Sequence, residues 1–183
     1  MMRELAFDPS SPAPPARAAA SPAPSRGCGL WSSGVVLLTL ADGAYRTGLR
    51  ALYTVERGLT RGEWLALAAS VVLFTFGEGH AVLARRFAPA VVARAFSSTA
   101  PNGRAALVLG PLHALALARV TWREALRNWA VLAVIAGAIH AVRALPEPWR
   151  GVVDAGVFAA LLWGSLALVA VAGRAALAKA RPR

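Results

Sequence analysis

Apolar residues recur along this chain in blocks long enough to enter lipid, and the charged residues collect at the ends of the blocks. Between Trp64 and Arg85-Arg86 the only charged residue is Glu78, so residues 63–84 read as a membrane-spanning helix with a tryptophan at one headgroup layer and arginines at the other. Between Trp149-Arg150 and Arg174 the only charged residue is Asp154, and residues 149–173 read as a second span. Residues 122–144 make another. Trp122 and Trp129 mark its entry, Arg123, Glu124 and Arg127 make its first turns polar, His140 and Arg143 share its far end, and Pro146-Glu147-Pro148 stops it. Residues 105–118, between Arg104 and Arg119, would give only about 21 Å of helix. They read as a short span extended by snorkelling arginines, kinked at Gly110-Pro111, with a re-entrant segment as the alternative.

Two further stretches carry a weaker pattern. Residues 30–55 begin apolar, from Ser33 to Ala41, and then place Asp42, Arg46 and Arg50 on one stripe at four-residue spacing. Tyr45, Leu49, Leu52 and Tyr53 fall on the other side, which predicts a helix lying in the interface. A full span is the alternative, with Asp42 neutralising Arg46 one turn away. Phe87-Ala88-Pro89 opens a brief surface helix, followed by a polar loop from Ser97 to Gly103. Residues 1–28 hold half of the prolines among alanine and serine and are expected to be a disordered tail, leaving 29–183 as the membrane domain. The fold class expected is all-α: a polytopic helical bundle with four transmembrane helices and one or two interfacial helices.

Composition agrees. The chain has 183 residues, 57% hydrophobic and 16% charged, with mean hydropathy +0.52. Soluble domains carry about 25% charged residues. The net charge of +11 is nearly all arginine. Because the arginines flank apolar blocks, they address lipid headgroups and orientation, and a nucleic-acid partner is set aside. With residues 30–55 on the surface, fourteen of the twenty basic side chains fall on the side of both termini, which predicts cytoplasmic termini in a bacterial inner membrane. A single cysteine, Cys28, excludes an internal disulfide and a thiolate metal cage.

Alternating helix directions would bring Glu78, His80, His140 and Asp154 to one depth, close to Arg85, Arg86, Arg143 and Arg150. Glu78 lies roughly 21 Å from Trp64 along the helix, about two thirds of the way across a core of about 30 Å. Such a cluster reads either as a polar pocket for protons, a metal or a substrate, or as ionic ties between helices. No metal, nucleophile or phosphate-loop motif accompanies it, so no cofactor and no catalytic residue is assigned. His113 is expected to be a packed histidine. Gly156, Ala160 and Gly164, at four-residue spacing, are the expected contact face for a membrane-protein partner, and Gly137 and Ala141 offer a similar one. The function expected is that of a non-enzymatic membrane scaffold, assembly factor or small subunit; a proton-coupled transport or relay module using Glu78 and Asp154 is the alternative.

Two stretches resemble an uncharacterised family of small multi-pass membrane proteins of cyanobacteria, other bacteria and plants. One is Glu78-Gly79 with Arg86-Phe87-Ala88-Pro89 and Val92-Ala93-Arg94-Ala95. The other runs from Leu145-Pro146-Glu147-Pro148-Trp149-Arg150-Gly151 through Asp154-Ala155-Gly156-Val157 to Trp163-Gly164. The resemblance covers roughly residues 63–170 and implies no activity or cofactor. It singles out Glu78, Arg94, Trp149, Arg150 and Asp154. Where the family carries an aromatic and an arginine after the Glu-Gly pair, this chain has His80 and Ala81.

Overall fold

The computed structural model describes residues 26–97, 99–101, 103–118 and 121–178. These residues are helical apart from short connections. Helix α1 is Arg26–Glu56. A turn through Gly58, whose φ of 85° favours glycine, leads to α2, Arg61–Phe74. Thr60 and Glu63 start α2 as a reciprocal cap: the Thr60 hydroxyl accepts from the Glu63 N–H, and the Glu63 carboxylate accepts from the Thr60 N–H at 2.7 Å. The chain then continues without a break through a π-helical segment, Thr75–Phe87, into α3, Ala88–Ala95. Helix α4 is Ala105–Ala114, α5 is Trp122–Arg143 and α6 is Trp149–Ala178. Thr121 and Glu124 repeat the reciprocal cap at the start of α5.

Helix α6 is the central element. Along one side α1 runs antiparallel to it: Thr54 meets Gly151, Phe158 covers Gly48 and Leu161 lies against Gly43. Along the other side α2 and the π-helical segment run parallel to it: Ser70 and Phe74 sit over Gly156, Gly79 lies on Ala160 and Trp163, and Leu83 fills the space at Gly164. The apolar core lies at the end of the bundle where α1 begins. There Val36, Val91, Val92 and Leu168 pack with Ala88, Ala95, Ala114 and Ala172 from four helices.

Among the described residues, three helices are long and apolar enough to cross a membrane: Arg61–Ala95, Trp122–Arg143 and Trp149–Ala178. The stretch expected as a further span, 105–118, holds only a short apolar helix, Ala105–Ala114. Helix α4 has ten residues, about 15 Å: it contains Pro111 and ends at Ala114, just before Ala116 turns the chain in a left-handed conformation, φ 54°. It packs on α1 and α3, and the Trp31 indole N–H donates to the Leu107 carbonyl at 3.1 Å.

Three other expectations are corrected. Residues 30–55 do not lie apart in an interface; they belong to a 31-residue helix docked along α6, with Ser32, Ser33, Val36, Ala44, Ala51 and Thr54 buried. Residues 88–95 are no surface helix. They continue the preceding one, and Ala88, Val91, Val92 and Ala95 form its buried face, so the arginine pair at 85–86 does not end the helix. The stripe of Gly156, Ala160 and Gly164 is filled by the chain's own α2 and π-helical segment. Of the expected tail, residues 26–28 open α1 and 1–25 lie outside the described residues, as do Arg119 and the basic residues after Ala178.

Candidate functional site

The ten sequence-predicted residues do not form one layer. Because α2 and α6 run parallel, Glu78 lies beside Gly79, which rests on Ala160, whereas Asp154 sits near the start of α6. The two carboxylates are therefore offset by about six residues of α6, roughly 9 Å along the bundle.

Asp154 belongs to an ionic knot where the end of α1 meets the start of α6. Its Oδ2 is 3.6 Å from Arg50 Nε, and Arg50 Nη1 is 3.9 Å from Glu147 Oε1. The Thr54 hydroxyl, on a residue only 2% exposed, lies 3.2 Å from Glu147 Oε2 and 3.1 Å from the Arg50 carbonyl, so one proton is shared between two acceptors. One arginine thus holds two carboxylates, and the geometry ties two helices that are a hundred residues apart in sequence. Asp154 keeps 12% of its side chain exposed and Arg50 keeps 40%. Arg150 lies beside the knot in sequence, and its Nε is buried without a hydrogen bond among the described residues. Trp149 is half exposed. Next to the knot, Thr54, Arg57, Gly58, Glu63, Glu147 and Pro148 line a cavity of about 260 Å³.

Glu78 and His80 flank the buried Gly79, and both are exposed. Glu78 is the midpoint of the continuous helix Arg61–Ala95. It makes no ion pair among the described residues. His80 meets the Trp163 ring edge-on, at 6.2 Å between centroids. Arg85 and Arg86 are exposed on the same helix. His140 is exposed near the end of α5, where its Nδ1 is 2.8 Å from the Ala136 carbonyl one turn back, and Arg143 is exposed beyond it. No three His, Cys, Asp or Glu side chains converge as a metal-binding group among the described residues.

Arg94 lies at the opposite end of the bundle from the ionic knot. Its Nη1 donates to the Ala114 carbonyl at 3.0 Å, tying α3 to the end of α4. Nearby, the Asn128 amide donates to the Ala116 carbonyl at 2.8 Å and holds α5 to the same turn. His113 is 5% exposed, packed as expected, with Nδ1 3.4 Å from the Ala118 carbonyl. Its Nε2 is buried with no hydrogen bond among the described residues.

Sequence reasoning found Asp154 but missed Arg50, Thr54 and Glu147. Arg50 was visible as the third member of a charged stripe and Glu147 as the acid between two prolines, yet no local spacing links positions so distant. Comparison of the chain with protein-family models, with curated proteins and with solved structures gives no match.

Proposed function

We propose that the chain is a multi-pass integral membrane protein with a non-enzymatic role, a small subunit or assembly factor that docks on another membrane protein through α5. One observation carries this reading: none of the 22 residues of α5 is buried, and α5 touches the rest of the bundle sparsely, at α6 and through Asn128. Membrane helices associate through close packing of small residues, since lipid supplies no hydrophobic force between them. Ala133, Gly137 and Ala141 stand at four-residue spacing on α5, and nothing lies within 4 Å of where a Gly137 side chain would begin. The equivalent stripe on α6 is consumed inside the chain, so the free one is the partner surface.

In this reading α1 crosses the membrane as well. Its 31 residues give about 46 Å of helix, it lies along α6, and Asp42 pairs with Arg46 at 2.8 Å on its outer face. The four crossings are then α1, Arg61–Ala95, α5 and α6, with α4 remaining at one surface. Arg26, Arg94, Arg104, Arg123, Arg127 and Arg174 stand at that surface, against Arg57, Arg61, Arg143 and Arg150 at the other. The sequence before Arg26 and after Ala178 adds Arg3, Arg17, Lys179, Arg181 and Arg183 to the first group. The positive-inside rule makes that side cytoplasmic, in a bacterial inner membrane.

A proton relay between Glu78 and Asp154 has less support, because the two are separated along the bundle and Asp154 is engaged by Arg50. Glu78, exposed at mid-helix, fits better as a polar contact to a partner. A lone charge at the bilayer centre costs about 3 kcal/mol on insertion scales.

The test is co-purification from native membranes in mild detergent, with wild type and Gly137→Leu. A partner that stays with wild type and is lost at least tenfold with Gly137→Leu supports the reading. A wild-type monomer free of other proteins, or a complex indifferent to the substitution, contradicts it.

A further inference from the structure

Two charged sites stand on outward surfaces of the bundle at one depth, far from either headgroup layer. Helix α6 gives the scale. Ala160 lies eleven residues after Trp149 and fourteen before Arg174, about 16 and 21 Å from those anchors. Gly79 rests on Ala160, which sets Glu78 at that level. On α1, Gly43 lies against Leu161 and Gly48 against Phe158, so Arg46, between them, stands at the same level. All three charged side chains there are exposed: Glu78, Arg46 at 75% and its partner Asp42 at 58%. Charged side chains at membrane depth ordinarily face protein or water, because hydrocarbon cannot replace their hydration. Arg46 meets Asp42 through Nε at 2.8 Å, and its Nη groups make no hydrogen bond among the described residues. Glu78 takes no part in the ion pairs of the described residues. Arg46 and Glu78 cannot meet within one molecule, since α1 and the π-helical segment both pack on α6 without touching each other.

We propose that copies of this chain associate side by side in the membrane, with the Arg46 guanidinium of one copy on the Glu78 carboxylate of the next. The asymmetry of basic residues inserts every copy in the same direction, so two groups that are level in one molecule are level between neighbours. A guanidinium of this chain already faces two carboxylates, at Arg50. Arg46 has the same capacity, with Nε on Asp42 and its Nη groups left for the neighbour. The surface around Glu78 admits a helix closely. Nothing lies within 4 Å of where a Gly77 side chain would begin, and Ala81 is exposed beside it. A two-fold pair made through a single flank would oppose Glu78 to Glu78 or Arg46 to Arg46. The contact is therefore heterologous, α1 of one copy against the π-helical segment of the next, and it closes into a ring about an axis normal to the membrane. It rests on α1 crossing the membrane, as proposed above, and leaves α5 for a different protein.

The test uses the full chain extracted in mild detergent, with native mass spectrometry counting copies. Wild type should form an assembly larger than a dimer. Glu78→Ala and Arg46→Ala should each reduce that assembly about tenfold or more at fixed concentration. Both side chains are exposed, so the thermal stability of the monomer should stay at the wild-type value. Co-expression of the two variants gives the sharpest readout. One keeps an intact Arg46 flank and the other an intact Glu78 flank, so together they should form a one-to-one dimer and nothing larger. Gly137→Leu should assemble as wild type does. Assembly that survives both alanine variants, a variant mixture that stays monomeric, or assembly lost with Gly137→Leu overturns the proposal. A monomeric wild type also overturns it, and single cysteines at Arg26 and Gly58 then locate the fault. If they lie on opposite sides of the membrane, the contact itself is wrong; if on the same side, the crossing of α1 is wrong.

Discussion

Arg50 does more at the α1–α6 junction than its place in a surface stripe suggests. It faces Asp154 and Glu147 together, and the first of these carboxylates is nearly enclosed. Removing the arginine leaves two acids facing each other beside a buried threonine. Stripping a partner from a fully buried ion pair costs about 3–5 kcal/mol, but Arg50 is 40% exposed and screening reduces the loss. A cycle of Arg50→Ala, Asp154→Ala and the double variant should therefore give a coupling of about 1 kcal/mol, measured by denaturant unfolding in micelles. Additive single changes would mean that the pair contributes nothing. The sequence made Asp154 conspicuous because an acid inside an apolar run is rare. It could not supply the partners, since the pairing depends on which helix lies against which and in what direction. For the same reason it placed Glu78 at the depth of Asp154: alternation of four spans makes the first and last antiparallel, whereas Arg61–Ala95 runs parallel to α6.

At the scale of elements, the glycines of α6 decide how the helices meet. A side chain at Gly156 would collide with Ser70 and Phe74, and one at Gly79 would come within 3.1 Å of the Ala160 Cα. Backbone is the wall in the second case, so the segment has no flexible side chain to displace. Gly156→Leu should lower thermal stability in detergent by the equivalent of about 1–3 kcal/mol, as overpacking does elsewhere. Gly137→Leu, on the free helix, should leave that stability unchanged. Equal losses for the two would mean that α5 is packed within the monomer. The sequence displayed the α6 stripe plainly but not its occupant, because small-residue spacing advertises close approach without saying whose helix approaches. Helix α3 was misread for a related reason. Arg85-Arg86 and Pro89 look like a stop and a restart, yet proline is tolerated in the first turn after a π-helical segment, and the arginines point outward from a helix that continues.

For the whole molecule, most of the class was legible and the topology was not. Three apolar helices were found within a few residues of their ends, apart from the extension to Ala95. The number of crossings turned on two borderline stretches, 30–55 and 105–118, which hydropathy and helix length rank in opposite orders. The more apolar one ends at Ala114, ahead of the left-handed Ala116, while the more charged one is a 31-residue helix docked along α6. The four-crossing account stands or falls on where the short connections lie. Single cysteines placed at Arg26, Gly58, Arg104 and Pro146, in a background with Cys28 changed to serine, can be labelled from outside intact cells by a membrane-impermeant maleimide. The account predicts labelling at 58 and 146 and protection at 26 and 104. If 26 and 58 are both protected or both labelled, α1 does not cross and the account is wrong.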